Sequence, residues 1–272
     1  MKKMAVLGPK GTYSDIAKDS YLKNNNLEYE IVYYPSILKT ALAVDDDTIA
    51  ILPFENTLDG FVLESMDAII SNNLHISSQI KLDIDFAFVS NAKSINDVKE
   101  VYCQFKAYGQ CLEFVSKYNF SILTTQSNIE SLNRLEDKSE SFGAIVPVHA
   151  IKDKSFNTVL LHIADSKENQ TRFFIVEKNT SICEADDVNL SIVITAALDR
   201  PGILFDILKE FHELGINLKS ILSRPMKTQM GKYKFYIECE MKQEQLKDLD
   251  ELQRRLDKDN LMSNILGVYN SL

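Results

Sequence analysis

A hydroxyl, a guanidinium and two amides stand together in Asn169-Gln170-Thr171-Arg172-Phe173, directly ahead of the apolar run Phe173-Phe174-Ile175-Val176. The run reads as a buried strand, so Thr171 and Arg172 fall at its mouth. Ligands dock at strand mouths in α/β proteins, and a hydroxyl beside a guanidinium can hold an anion there. An ordinary strand-edge Thr/Arg pair is spelled the same way, so the company of the motif matters. Pro53-Phe54-Glu55-Asn56-Thr57-Leu58-Asp59-Gly60 ends another apolar run with a carboxylate, an amide and a hydroxyl side by side. Gln126-Ser127-Asn128-Ile129-Glu130 repeats the pattern farther along, where a simple N-cap explains it equally well. Gly8-Pro9-Lys10-Gly11-Thr12-Tyr13-Ser14 follows the first strand-like run and opens a helix. Its glycines allow close backbone approach, and free N–H groups at a helix start favour anions. Thr12 with Asp15 is spelled as a cap. The spacing is not that of a dinucleotide-binding loop. Polar donors recurring at strand ends suit a cleft that binds a polyanion.

The elements that must position these residues follow from periodicity. Met4 to Leu7, Glu30 to Tyr34 and Ile49 to Pro53 read as strands, with helices over Ser14 to Leu22, Ser36 to Val44 and Leu63 to Ile70. That rhythm implies parallel strands with crossover helices. Ile80, Leu82, Ile84, Phe86 and Phe88 then alternate with Lys81, Asp83, Asp85 and Ala87, which reads as one half-buried strand. Further strands are expected near residues 100–103, 120–124, 143–146 and 159–163. Two α/β lobes, with the chain crossing between them twice, account for this order and would enclose a ligand. Asn179 to Asp187 is polar and aperiodic, and reads as a linker. Beyond it come a strand over Leu190 to Ala196, a helix over Gly202 to Leu214, strands near 218–223 and 233–240, a helix over Gln243 to Leu256 and a strand over 263–268. That βαββαβ order fits a small ferredoxin-like module.

At 272 residues the chain is expected to form two domains. A net charge of −9 argues against non-specific binding to nucleic acid or an anionic membrane. The apolar stretch Met4 to Gly8 is too short for a signal-peptide core, and no run approaches transmembrane length. Cys103, Cys111, Cys183 and Cys239 show no metal-type pairing, and a chain of this size needs no disulfide staples. The expectation is a cytoplasmic protein with reduced thiols. His75, His149, His162 and His212 lack metal-ligand spacing, which argues against a zinc or haem centre.

Taken in order, the stretches resemble the prephenate dehydratase family. Gly8 to Thr12 is similar to its Gly-Pro-x-Gly-Thr loop, Pro53 to Gly60 to its Pro-x-Glu-Asn-Ser/Thr segment, and Thr171-Arg172-Phe173 to its Thr-Arg-Phe signature. Pro201-Gly202-Ile203-Leu204, Gly215-Ile216-Asn217-Leu218 and Ser223-Arg224-Pro225 resemble the ACT regulatory domain that commonly ends this family. The resemblance covers nearly the whole chain. It implies an α/β fold, with a two-lobed, periplasmic-binding-protein-like catalytic domain over 1–180 (lobes at about 1–80 with 164–180, and about 81–163) and a ferredoxin-like ACT domain over 188–272. It implies conversion of prephenate to phenylpyruvate in phenylalanine biosynthesis, without a cofactor, because gaining aromaticity drives the step. Thr171 matches the catalytic threonine, and a neutral hydroxyl suits hydrogen-bond donation to the departing oxygen. Arg172 is either an anchor for the pyruvyl carboxylate or part of an ion pair beneath the site. Asn56, Thr57, Thr12 and Ser127 would supply neutral donors, with Gly11, Asn128 and Phe173 beside them and Glu55 orienting its neighbours. The ACT resemblance implies feedback inhibition by L-phenylalanine bound between two modules, at Gly202, Ile203, Leu204, Asn217 and Leu218, hence a homodimer or homotetramer.

The chain departs from the common pattern in places. Gln79 stands where many members have Glu, Phe86 where many have His, and Asn128 where a Thr is usual. Cys103-Gln104-Phe105-Lys106 replaces Ser-His-Pro-Gln, and Leu222 replaces a Glu before Ser-Arg-Pro. Three other readings share parts of this evidence: an arogenate dehydratase, a catalytically silent phenylalanine sensor, and a solute-binding protein, which the missing signal peptide disfavours.

Overall fold

The run Met4-Ala5-Val6 is wholly buried because strands flank it on both sides and apolar clusters cover both faces, Ala5 in one and Met4 with Val6 in the other. The computed structural model of the chain describes residues 2–136, 140–180, 183, 185–196, 200–226 and 233–270. Strand β1 (Lys3–Leu7) leads into α1 (Tyr13–Asn25), β2 (Glu30–Tyr34), α2 (Ile37–Leu42), β3 (Thr48–Asn56), β4 (Gly60–Phe61), α3 (Leu63–Ser71) and β5 (His75–Asp83). β1 lies parallel to both β2 and β3, as crossover helices require. β3 runs three residues past its expected end, because Glu55 and Asn56 pair with a strand that returns later.

The alternating segment from Ile80 to Phe88 is two strands in two different sheets, not one. β5 ends at Asp83, and β6 (Phe86–Ser90) begins the second lobe. Both strands and the link between them are extended, so the period of two passes unbroken through the crossover and hides it. The hydrogen bonds reveal the change: Ile84 N–H still bonds Asn169 O at 2.8 Å, whereas Asp85 O accepts from the Tyr13 hydroxyl at 2.7 Å. β6 is buried on both faces rather than half-buried. The second lobe continues through β7 (Glu100–Gln104), α4 (Phe105–Gly109), α5 (Leu112–Ser116), β8 (Ser121–Thr125), α6 (Asn128–Glu136), β9 (Phe142–Pro147) and β10 (Thr158–Leu160). Its strand order is β10-β6-β9-β7-β8. The strand expected to reach residue 163 stops at Leu160, and His162 takes a left-handed φ of 58° that no strand can hold.

β11 (Gln170–Glu177) crosses back and inserts between β3 and β5, antiparallel to each, giving the order β2-β1-β3-β11-β5 with β4 on the edge of β3. Its register sets Thr171 opposite Asn56 and Arg172 opposite Glu55. Two stretches more than a hundred residues apart in sequence are thereby brought side by side.

Of the linker stretch, residues 181, 182 and 184 lie outside the described residues. The third unit comprises β12 (Asp187–Ala196), α7 (Ile203–Glu213), β13 (Asn217–Pro225), β14 (Tyr233–Lys242), α8 (Leu249–Lys258) and β15 (Leu261–Tyr269), with antiparallel order β13-β14-β12-β15. The expected helix over 243–256 is split: Gln243–Asp248 forms tighter 3-10 turns before α8 begins. One face of the sheet, with Leu190, Ile192 and Ile237, packs beneath the two helices. The other face sets Val193, Tyr236, Leu266 and Tyr269 against Phe54, Ile76 and Phe174 of the first lobe. Ring centroids there lie 4.1 Å apart for Phe54–Phe174, 5.4 Å for Phe54–Tyr236 and 5.2 Å for Phe174–Tyr269. Each such pair contributes about 0.5–1.5 kcal/mol beyond area burial. Gly267 rests on the backbone of Ile76, where an added Cβ would meet the Ile76 carbonyl oxygen at 2.1 Å. The third unit therefore closes one face of the first lobe's sheet.

Candidate functional site

The cleft between the two lobes has a volume of about 340 Å³, near the lower limit for small-molecule sites. The first lobe contributes Thr12, Tyr13, Asn56, Asp59, Thr171 and Phe173, and the second contributes Phe86, Gln104, Lys106, Gln110, Ser127 and Asn128. Tyr13 ties the walls together, donating to Asp85 O and meeting His149 edge-on at a centroid distance of 4.9 Å. Burial pushes the Tyr13 phenol well above its ordinary value, so it remains a neutral donor.

Asn56 orients the hydroxyl of Thr171. Its Oδ1 accepts from the backbone N–H groups of Leu58 and Asp59, both at 3.0 Å. That fixes which end of the amide is the NH₂. The NH₂ shares its two protons among three acceptors, Asn169 Oδ1 at 2.8 Å, Thr171 Oγ1 at 2.9 Å and Gln170 O at 3.1 Å. An amide NH₂ cannot accept, so Thr171 oxygen is the acceptor in this pair and its own proton is left to donate. The chain of bonds extends into the second lobe: Asn169 Nδ2 donates to Gln110 Oε1 at 2.9 Å, and Gln110 Nε2 to Asp59 Oδ2 at 3.4 Å.

The strand's period of two divides the signature between two compartments. Thr171 and Phe173 face the cleft, whereas Arg172 and Phe174 face the third unit. Arg172 Nη2 lies 2.7 Å from Glu55 and 2.8 Å from Glu238 of β14. Arg172 Nη1 reaches the other oxygen of Glu238 and, at 3.3 Å, Gln79 Oε1. Burial disfavours the charge on Arg172, but the Glu238 carboxylate outweighs it, and the net shift is upward. The guanidinium also sits 5.1 Å from the ring of Phe174 and 5.6 Å from that of Phe54. Arg172, Glu55 and Thr57 line a second cavity of about 280 Å³ at the junction with the third unit. Arg172 thus takes the ion-pair alternative beneath the site. Glu55 joins it because the irregularity in the β3–β11 register skips Phe54 and sets Phe54 and Glu55 on the same side. Thr57, expected as a neutral donor to the ligand, lies on that side as well. Thr57 has a stitching position instead, its hydroxyl donating to Glu168 O and accepting from Gln170 N–H, each at 3.0 Å.

The other expected residues divide as follows. Thr12, Ser127 and Asn128 line the cleft, with Phe173 at its floor. Thr12 occupies the N-cap of α1, yet its hydroxyl donates to Leu7 O at 3.3 Å and makes no cap bond. Asp15 reaches back to Gly11 N–H at 2.8 Å and takes the Tyr33 hydroxyl at 2.5 Å. Gly11, with φ +88°, serves the inter-lobe contact: its carbonyl is 3.1 Å from His149 Nε2. A carbonyl only accepts, so that nitrogen carries the proton. Burial lowers the pKa of His149, and the bond to Gly11 opposes this. Ser127 caps α6 through Glu130 N–H at 3.1 Å, and Glu130 returns a bond to Gln126 N–H at 2.7 Å. In the third unit, Gly202 turns at φ +86° into α7, where Ile203 is half-buried and Leu204 exposed. Asn217 and Leu218 open edge strand β13. Leu222 packs towards the first lobe's core, and Arg224 Nη2 bonds Asp67 of α3 at 2.8 Å. Phe86, where the family often has His, lines the cleft and meets Tyr13 edge-on. Sequence reasoning missed Gln110 and His149, which stand outside the motifs, and gave no role to Tyr13, which stands inside the first one. Asn169 and Asp59 stood inside the motifs but received no role.

The family model described as prephenate dehydratase matches residues 4–181, and the one described as ACT domain matches residues 191–257. The prephenate dehydratase of Methanocaldococcus jannaschii is 31% identical over 264 residues, 96% of this chain and 95% of that protein. The crystal structure of a prephenate dehydratase from Staphylococcus aureus superposes with a TM-score of 0.82 at 28% identity, covering 98% of this chain and 100% of that one. One from Arthrobacter aurescens, solved in complex with L-Phe, shares the fold with a TM-score of 0.83 at 24% identity, covering 98% and 89%. This chain belongs to the prephenate dehydratase family and carries a C-terminal ACT domain.

Proposed function

We infer that the chain converts prephenate to phenylpyruvate, with Thr171 as the donor to the leaving hydroxyl. The observation that carries this is the 2.9 Å bond from Asn56 Nδ2 to Thr171 Oγ1, which leaves the threonine proton to donate. As the ring C–O bond breaks, the electron pair of the departing carboxylate enters the ring and CO₂ leaves. Negative charge gathers on the departing oxygen, where a preoriented hydroxyl stabilises the transition state more than the ground state. Thr12, Ser127 and Asn128 supply neutral polar groups along the walls, and Phe173, Phe86 and Tyr13 suit the ring. Asn56 is a positioning residue as well as a wall of the site, and Arg172, Glu55 and Thr57 brace β11 and β3 from behind.

Phenylalanine acts through the ACT domains of two chains, so the working form is a homo-oligomer. Gly202 to Leu204 and Asn217 with Leu218 supply one chain's share of that effector site. The four cysteines are free thiols, which supports a reducing, cytoplasmic setting. Phenylpyruvate formation from prephenate, measured for wild type and Thr171→Ala with and without phenylalanine, tests these points. Turnover that collapses in the variant and falls with phenylalanine is expected. Turnover of arogenate but not prephenate would replace the substrate, and undiminished Thr171→Ala would remove the assigned donor.

A further inference from the structure

We propose that Lys106 holds the substrate carboxylate that survives the reaction, and so sets affinity rather than turnover. The inference rests on the dehydratase reading above. Among the described residues that line the cleft, Lys106 is the one cation and Asp59 the one carboxylate; the remaining polar groups are amides and hydroxyls. Arg172, the other candidate anchor, is committed to Glu55 and Glu238 on the far side of β11. A dianion entering this cleft has a single full positive charge to meet.

Lys106 is placed for that contact by its neighbour. The Gln104 side-chain carbonyl caps α4, accepting from Lys106 N–H at 2.7 Å and Ala107 N–H at 3.2 Å. The Lys106 ammonium lies 3.5 Å from Asp59 Oδ2, with the two side chains 61% and 36% exposed. A pair this long and this wet is worth little. The same Asp59 oxygen is shared with Gln110 Nε2. Two of the three ammonium protons are thus left for an incoming oxygen. The neutral Gln of the similar family pattern at this place could offer no such charge.

The chemistry decides which carboxylate is held. Prephenate has two, and one leaves as neutral CO₂. A cation on that group would stabilise charge that must vanish, raising the barrier. A cation on the pyruvyl carboxylate binds ground and transition states alike, which lowers KM and leaves kcat alone.

The test uses the full-length protein with Lys106→Gln, Lys106→Met and Lys106→Arg. Steady-state kcat and KM for prephenate are measured beside phenylpyruvate affinity by calorimetry, since that product keeps the pyruvyl carboxylate. Gln and Met are expected to weaken KM and phenylpyruvate binding together by about ten-fold, with kcat nearly unchanged. Arg should restore both, and added salt should narrow the gap because the group is exposed. Unchanged KM and product affinity would overturn the proposal. Raised kcat with unchanged product affinity would place the lysine on the departing carboxylate and overturn it too. Wild type that binds phenylpyruvate but makes none from prephenate would defeat the dehydratase reading while the binding data still judge the lysine. Wild type that does neither defeats both.

Discussion

Replacing Glu238 by glutamine keeps the side chain's shape and removes its charge, which isolates the ion pair that ties the ACT sheet to β11. The Glu238 side chain is 1% exposed and that of Arg172 is 10% exposed, so water cannot take the carboxylate's place. Removing one member of a buried pair costs about 3–5 kcal/mol, because the other charge stays behind. Glu55 remains 2.7 Å from Arg172 and is 36% exposed, so part of that charge stays compensated. The Tyr236 and Tyr269 phenols, which burial pushes far above their ordinary value, offer no negative charge. The expected loss is therefore at the lower end, about 3 kcal/mol. Urea unfolding followed by far-ultraviolet circular dichroism reads it, since the chain has no Trp to report by fluorescence. Adding Arg172→Met to Glu238→Gln should recover part of the loss, as an apolar side chain suits the Phe54 and Phe174 rings. A loss below about 1 kcal/mol, the worth of an exposed pair, would refute the reasoning: the carboxylate would then be solvated and the ACT sheet undocked.

Asn56→Asp should lower kcat by about 10²-fold or more with little change in fold. A carboxylate at that place accepts the Thr171 proton and turns it from the substrate, and wild-type kcat in the variant would remove Asn56's role. The inter-lobe contact of His149 predicts acid sensitivity. Its folded pKa lies below the ordinary value of 6.5, so its share of stability is present above that value and is lost as pH falls through the folded one. A stability profile against pH should flatten in that window for His149→Gln, and identical profiles would refute the assignment. Gly267→Ala should destabilise by about 1–3 kcal/mol or more through overpacking against Ile76. An unchanged thermal midpoint would show that the two sheets are farther apart than described.

The order of elements was legible because each strand or helix carries its own apolar period. The lobe crossing at Ile84 and Asp85 was not, since extended chain looks alike on both sides of a change of sheet. Thr171 and Asn56 could be found from motifs, yet nothing local says that register sets them opposite each other. The direction of Arg172 depends on which face of β11 meets the cleft and which meets the ACT sheet. Both faces are apolar at Phe173 and Phe174, so sequence offered no way to choose. Lys106 was visible only as a departure, because a lysine after a strand is usually a solvated charge.

The seat of the ACT sheet on Phe54, Ile76 and Phe174 bears on how this protein can be taken apart. Cutting the chain in the segment after β11 would leave those side chains bare, with Arg172 keeping only Glu55 as a partner. Such a fragment would present a sticky face and invite aggregation, so lost activity in it would say nothing about regulation. Grafting a foreign ACT domain meets the same difficulty, since the newcomer must bring a glycine where Gly267 rests and an acid where Glu238 stands. Modularity in this chain ends at the linker. Beyond it, the regulatory sheet backs the strands whose opposite face lines the cleft.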